Sequence, residues 1–262
     1  MLTRRVVHLE VQRVYVAAST ASFADLPLKD AFSKLVDLEF TRVEIDIHES
    51  GGHLRPSQVA ADVDAVVDIC RNTLRLTPVV YSVQIEAEGD EYYQQFAAIC
   101  RLAKATKVVT LVVPAGELGT PFNAEVERLR ELVAIATVEG AVVAVKTEVG
   151  CVTQDPDTVK VLCDNVKGLG VTLDPSHFVY GDNAGRSYDN ILEYTYHVHL
   201  RDTNKDHLQV RVGQGEIEYG RLVSQLALVK YNRALTVDMQ AIPDVDHMAE
   251  LRKLRLLLES LV

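Results

Sequence analysis

Residues 107–148 read KVVTLVVPAGELGTPFNAEVERLRELVAIATVEGAVVAVKTE. Two short runs in this segment, 107–113 and 141–146, are nearly continuous in apolar residues, which is typical of strands buried on both faces. Between them, residues 124–138 place apolar side chains at helical spacing. The pattern predicts a strand, a helix and a second strand parallel to the first.

The same alternation continues toward both ends of the chain. Further strands are predicted at 14–18, 42–48, 78–84, 170–173, 196–200 and 234–237, and further helices at 56–72, 91–104, 157–164 and 247–261. A weaker helix is predicted near Ile191. Eight such units in 262 residues predict an α/β protein of one domain, residues 1–262, folded as a (β/α)₈ TIM barrel. An open doubly wound sheet is the second interpretation, but residues 17–27, AASTASFADLP, lack the glycines expected after its first strand.

The composition bounds the partners of the chain. It is 48% hydrophobic and 24% charged, with a formal net charge of -10 and no basic run, so we expect no nucleic-acid partner. No segment reads as a membrane span or a secretory signal, and we therefore expect no membrane partner and a cytoplasmic location. The four cysteines form no CxxC pair and are expected to be reduced, mostly buried thiols.

Polar side chains gather where the predicted strands end. The strand ends read IDIHESGGH (45–53), KTEVG (146–150), LDPSH (173–177), HVHLRD (197–202) and VDMQ (237–240). In a barrel these ends form one mouth, so Glu148, Asp174, His199 and Asp238 should converge there. Three carboxylates and an imidazole suit one divalent metal ion, Mn²⁺, Mg²⁺ or Co²⁺, with Zn²⁺ as an alternative.

Several histidines near these ends have a functional and a structural interpretation. His197 and His199 lie on the same side of their strand, so either can be the ligand, and His199 is favoured because it is nearer the mouth. His177 follows Asp174 and is a candidate for orienting a ligand or touching substrate. His48 alternates with two acids along its strand and is a further candidate substrate contact, although a buried structural role is the simpler interpretation.

The motifs LDPSHF, HVHLRD and GQGEIEYG, followed by a last strand that ends in an acid, resemble the xylose-isomerase-like TIM barrels. That family includes sugar phosphate isomerases, ketose 3-epimerases and, more distantly, AP endonuclease family 2. The resemblance implies that Glu148, Asp174 and His199 are metal ligands and that His177 lies beside the substrate. Asp238 stands where the family normally carries a glutamate, and residues 213–216 match its glycine-rich loop.

By this resemblance the chain is a metal-dependent sugar isomerase or epimerase that works through an enediolate, with Glu148 and Asp238 as the acid/base pair. Gln154 and Lys205 replace the glutamate and arginine that ketose 3-epimerases use to hold substrate, which argues against a typical member of that group. Lys205 or His177 is then the candidate for holding a hydroxyl.

Other activities stay open at the level of the sequence. A dehydratase or lyase could use the same site, and a barrel that binds a small metabolite without turnover is a third interpretation. A nuclease is disfavoured because the third and fourth strands end without histidines. The expected partner is a small carbohydrate. Family members often form dimers or tetramers, so the resemblance makes a homo-oligomer one open possibility.

Overall fold

The computed structural model describes residues 14–262. Its eight strands close into one barrel in which every neighbouring pair is parallel and the spatial order follows the chain order. The strands are β1 (Tyr15–Ser19), β2 (Arg42–His48), β3 (Thr77–Gln84), β4 (Thr110–Val113), β5 (Val142–Lys146), β6 (Gly170–Leu173), β7 (Thr195–Leu200) and β8 (Ala234–Val237). The predicted TIM barrel is confirmed.

Eight α-helices are present among the described residues. They are α1 (Leu28–Asp37), α2 (Pro56–Ala61), α3 (Val63–Arg71), α4 (Gly89–Thr106), α5 (Phe122–Val138), α6 (Pro156–Asn165), α7 (Tyr219–Leu228) and α8 (His247–Glu259). Two of them, α1 and α7, were not among the helices predicted from the sequence. The predicted helix at 56–72 is two helices, because Asp62 leaves the helical conformation and its carboxylate caps the next helix by accepting from the Ala65 amide at 3.0 Å.

The crossover between β6 and β7 contains no α-helix in the part of the chain that the structure describes. Short 3₁₀ segments replace it, at Pro175–Phe178, Gly181–Asn183 and Asp189–Tyr194. The weak helix predicted near Ile191 is the last of these segments, in which Ile191 and Leu192 are buried.

The alternation of side chains along β2 shows how the strands position functional groups. Its valine and its two isoleucines are fully buried in the hydrophobic core. Glu44, Asp46 and His48 alternate with them and line a cavity inside the barrel. A shift of one residue in the register of β2 would exchange these two sets, so burial of the apolar set holds the polar set at the mouth.

Two further expectations concern the cysteines and membrane spans. All four cysteines are free, and Cys70, Cys100 and Cys163 are buried, as the sequence predicts. Within residues 14–262, no helix has both the length and the apolar character that crossing a bilayer requires.

Candidate active site

A cavity of about 270 Å³ opens at the C-terminal ends of the strands. Most of its lining is polar, and within residues 14–262 it contains no phenylalanine, tyrosine or tryptophan. The lining residues are Ser19, Ala21, Ala24, Glu44, Asp46, His48, Ser82, Lys146, Glu148, His177, Arg201, Leu208, Asp238 and Gln240. This is the end of a TIM barrel at which enzymes of this fold carry out their chemistry.

Glu44 binds two histidines at the floor of this cavity. Its Oε2 lies 2.6 Å from Nε2 of His197, and its Oε1 lies 2.9 Å from Nε2 of His199. Burial alone would raise the pKa of Glu44, but the two imidazoles outweigh burial and hold it well below its usual range. Glu44 is therefore an ionised carboxylate that accepts hydrogen bonds from both Nε2 atoms.

These three residues are also a candidate metal-binding group. Among the described residues, they alone form a set of three or more potential ligands whose ligand atoms all lie within 4.8 Å of one another. Distances of 2.6 and 2.9 Å are, however, those of direct charge-assisted hydrogen bonds. As it stands, the group orients its histidines, in the way that carboxylates orient metal-binding histidines in known sites.

The orientation of His199 leaves its second nitrogen facing an acid. Nδ1 is buried, has no hydrogen-bond partner within residues 14–262, and lies 3.6 Å from Oδ2 of Asp238. Burial lowers the pKa of His199, but the charge of Glu44 outweighs it and the net pKa is raised. A shared cation or a proton on Nδ1 would pair this nitrogen with the Asp238 oxygen.

Arg201 bridges two of the predicted ligands. Its Nη2 donates to Oδ2 of Asp174 at 2.7 Å and to Oδ2 of Asp238 at 3.3 Å. Asp174 is fully buried, and its Oδ1 also accepts from the amide and the hydroxyl of Ser176. Burial would raise the pKa of Asp174, but Arg201 and His177 outweigh burial and hold it well below the usual range.

The predicted quartet is only partly assembled. Asp174, His199 and Asp238 are linked through the contacts described above. Glu148 lines the same cavity as Asp238. The four do not form a set with all ligand atoms within 4.8 Å of one another. Their assignment as metal ligands, and that of Glu148 and Asp238 as the acid/base pair, stays a prediction.

Of the three predicted substrate-binding residues, His177 and His48 line the cavity and Lys205 does not. His177 lines the cavity, its Nδ1 accepts from the Val149 amide at 3.1 Å, and its Nε2 lies 3.6 Å from Asp174. Nε2 of His48 lies 3.3 Å from both Ser82 and Asp46, and burial, together with Lys146, lowers the His48 pKa to about 4. Lys205 is exposed and does not line the cavity, so the structure does not bring it to the others.

Sequence reasoning missed two cations at the mouth. Lys146 lies two residues before Glu148, and Arg201 lies two residues after His199, so the period of a strand puts each on the same face as its partner. Lys146 has no acidic partner within 4.0 Å among the described residues. The alternation signal could have found both residues, but the sequence does not say which acids Arg201 would reach.

The charges of the residues at the cavity suit a divalent metal ion. Five carboxylates lie at or just below the cavity, those of Glu44, Asp46, Glu148, Asp174 and Asp238, against two permanent cations. Burial and the nearby charges of Asp238 and Glu44 raise the pKa of Asp46 to about 7, as expected where negative charge is in excess. Two ligands of one ion lie roughly 3.0–3.6 Å apart, and the His199–Asp238 distance of 3.6 Å is compatible with such a pair.

The glycine-rich loop is held by the acid that ends HVHLRD. Oδ2 of Asp202 accepts from the amides of Gly213 at 2.6 Å and Gly215 at 3.0 Å. A Cβ added at Gly215 would lie 2.1 Å from the other oxygen of Asp202, so only glycine fits at this position. Asp202 therefore folds the loop against the barrel rather than joining the cavity, whose lining does not include it.

The chain matches a known protein family along most of its length. The model of the family described as xylose isomerase-like TIM barrel matches residues 32–258. The chain belongs to this family. The match covers every strand from β2 to β8 and so includes all four predicted metal ligands. None of the curated proteins compared with the chain matches it.

Solved structures of the family share the fold at low sequence identity. A D-allulose 3-epimerase from Methylomonas sp. superposes with a TM-score of 0.75 and 12% identity, covering 96% of this chain and 99% of that one. A xylose isomerase-like TIM barrel protein from Mycobacterium smegmatis, in complex with magnesium, gives 0.73 and 15%, with 95% and 98% covered. A probable 3-DHS dehydratase from Bacillus anthracis, involved in petrobactin synthesis, gives 0.70 and 12%, with 94% and 98% covered. At these identities the likeness shows the fold alone.

Proposed function

We propose that the chain is a divalent-metal-dependent sugar isomerase or epimerase that moves a proton next to a carbonyl. One observation carries the proposal. Glu148 and Asp238 come from strand ends three steps apart around the barrel and line one small polar cavity, with His199 and Asp174 beside Asp238. Two carboxylates on different sides of one cavity suit removal of a proton from one face of a substrate and its return to the other.

The residues divide the work as follows. Asp174, His199 and Asp238, with Glu148, would hold the ion, which when bound supplies Lewis-acid polarisation of a substrate carbonyl. Glu148 takes the proton from the adjacent carbon, and Asp238 serves as the partner acid, so that the reaction passes through an enediolate. His177, His48 and Lys146 line the cavity and hold hydroxyl groups of the substrate in place.

The cavity also bounds the substrate. A volume of about 270 Å³ is at the small end for ligand pockets, which suits a single sugar unit better than an oligosaccharide. Among the described residues the lining has no phenylalanine, tyrosine or tryptophan and four acids, which favours a polyhydroxy compound without an extended apolar group. The described relatives include a D-allulose 3-epimerase, which supports this class of substrate.

Solvent exchange tests the proposal. The full-length protein is incubated in D₂O with Mn²⁺ and a panel of ketoses, aldoses and keto sugars, and loss of an α-proton signal is followed by proton NMR. We expect Mn²⁺-dependent exchange with at least one compound and its loss in Glu148→Gln. Glu131→Gln, at an exposed position of α5, is the matched control and should exchange at the wild-type rate. Undiminished exchange in Glu148→Gln would show that the base is misassigned.

A dehydratase on the same site is the second candidate, since one of the structural relatives is a probable 3-DHS dehydratase. The same carboxylates could remove a proton while a β-hydroxyl leaves as water. The NMR experiment separates the two, because elimination of a β-hydroxyl from a sugar leaves an enol that ketonises to a deoxy product with a new upfield proton signal, and isomerisation yields no such signal. Stoichiometric Mn²⁺ binding without turnover of any compound would instead favour a metabolite-binding barrel.

A further inference from the structure

Arg201 occupies the place where the proposed metal would bind. Its Nη2 contacts Oδ2 of Asp174 at 2.7 Å and Oδ2 of Asp238 at 3.3 Å. The same Asp238 oxygen lies 3.6 Å from the unpartnered Nδ1 of His199. One guanidinium nitrogen therefore meets the two carboxylate oxygens that, with Nδ1, surround the proposed ion.

A metal ion and this guanidinium cannot share these oxygens in the observed arrangement. Metal–oxygen distances are about 2.0–2.6 Å, so an ion between Asp174 and Asp238 would lie against Nη2. Two cations in contact in a water-poor site repel each other strongly. Either the side chain of Arg201 moves when the ion binds, or the ion is excluded.

The surroundings of Arg201 allow its guanidinium to move away from Asp174 and Asp238. Its Nε is buried without a hydrogen-bond partner within residues 14–262, so the guanidinium is held through one end only. Its side chain is 12% exposed and lines the cavity, so open space lies next to the guanidinium. By contrast, Arg128 on α5 donates through Nε and both terminal nitrogens, to Glu125, Tyr92 and the Pro114 carbonyl.

We propose that Arg201 is a resident counter-cation that competes with the divalent metal for Asp174 and Asp238. It stabilises the metal-free site by neutralising two buried carboxylates, and it weakens metal binding because the ion must displace it. Once displaced, the guanidinium remains at the cavity wall, where it can donate to a substrate oxygen. The inference rests on the metal site of the proposed function.

Calorimetric titration of the chelator-treated, full-length protein with Mn²⁺ tests it. We expect Arg201→Gln to bind Mn²⁺ at least about tenfold more tightly than the wild type, because a charge-assisted hydrogen bond no longer has to be broken. The Mn²⁺ affinity of Arg201→Lys should lie between those of the wild type and Arg201→Gln. Lysine keeps the positive charge but carries it on a more flexible side chain with a single nitrogen. Arg128→Gln, which removes a buried ion pair whose members do not line the mouth cavity, should leave the Mn²⁺ affinity unchanged.

Thermal unfolding gives an independent measurement on the same proteins. Without metal, Arg201→Gln should have a lower Tm than the wild type. Saturating Mn²⁺ should raise the Tm of this variant by more than it raises that of the wild type. Arg128→Gln should also have a lowered Tm, but Mn²⁺ should raise its Tm by no more than it raises that of the wild type. Equal or weaker Mn²⁺ binding by folded Arg201→Gln, or by Arg201→Lys if the glutamine variant does not fold, would overturn the competition.

The failure of this inference differs from failure of the metal site itself. If Asp174→Ala/His199→Ala binds Mn²⁺ as tightly as the wild type, the ion binds elsewhere and both proposals fail. If the double variant loses Mn²⁺ but Arg201→Gln binds as the wild type does, the metal site stands and only the competition is wrong.

Discussion

The two ends of the barrel carry opposite chemistry. At the N-terminal ends of the strands lies a cavity of about 920 Å³, more than three times the volume of the one at the mouth. Among the described residues, its charged lining consists of Arg42, Lys107 and Arg233, without a carboxylate. The smaller cavity at the mouth is lined by four acids, with the buried Asp174 just beneath them.

Cavity volume therefore does not identify the functional site of this barrel. Each arginine at the N-terminal end is packed on a tyrosine, Arg42 at 4.2 Å from the ring centre of Tyr15 and Arg233 at 4.9 Å from that of Tyr196. Such stacking pairs each guanidinium with an aromatic ring, which is a role in stability. At the mouth, buried acids lack enough cations, and this imbalance is what a metal or substrate can relieve.

The largest effect is expected from removing two mouth residues together. Asp174→Ala/His199→Ala should lose Mn²⁺ affinity by more than the roughly 10–100-fold that changes around a metal's ligands produce, and solvent exchange should disappear. Elemental analysis of protein purified without chelator, together with the exchange assay, measures both. Metal content equal to that of the wild type would remove the mouth from consideration as a metal site.

Glu44→Gln should weaken Mn²⁺ binding by roughly 10–100-fold. A carboxylate accepts from both histidines, whereas an amide accepts from one and presents a donor to the other. If His199 faces the donor, its proton moves to Nδ1, which then no longer offers a lone pair toward Asp238. Calorimetry measures the affinity, and nitrogen-15 NMR of the imidazoles reports the tautomer.

The control for that experiment is Glu125→Gln, which changes a buried, ion-paired acid outside the mouth. It should lower the Tm and leave the Mn²⁺ affinity as it was. If Glu44→Gln folds with unchanged tautomers and unchanged affinity, the orienting role of Glu44 is wrong.

Asp238→Glu should preserve the exchange rate or raise it severalfold. The sequence resemblance implies that the family carries a glutamate here, and the added methylene extends the carboxylate by roughly 1.5 Å toward the cavity. Initial rates of exchange at saturating Mn²⁺ measure the effect. A large loss of rate would mean that the surrounding residues are adapted to aspartate, and that the acid/base role belongs to another group.

The smallest effect is expected at the opposite end of the barrel. Arg233→Gln removes the stacking on Tyr196 and a 3.4 Å contact with Thr110, and should lower the free energy of unfolding by ~0.5–1 kcal/mol. Exchange and Mn²⁺ binding should stay within twofold of the wild type. Chemical denaturation and the exchange assay test this, and a tenfold loss of activity would mean that the N-terminal cavity takes part in function.

Much of the candidate site could be predicted because strand ends and side-chain alternation are local. Asp174, His199 and Asp238 were placed together by their positions relative to apolar runs, and the structure brings them together. Helices α1 and α7 lie at crossovers that the predicted barrel requires, but no helix bounds were predicted for them. Lys205 was chosen by its distance along the chain from His199, and loop geometry carries it outside the cavity.

The sequence by itself determined the barrel, since buried parallel strands require continuous apolar runs and the helices between them require an apolar stripe. It also determined which faces carry acids and histidines, because alternation along a strand has a fixed period. Only the tertiary structure decided which of these groups touch. Glu44 meets His197 and His199 across more than 150 positions of chain, and Arg201 reaches Asp174 and Asp238 from the neighbouring strand ends. Such contacts depend on closure of the barrel and on side-chain reach, which no local pattern encodes.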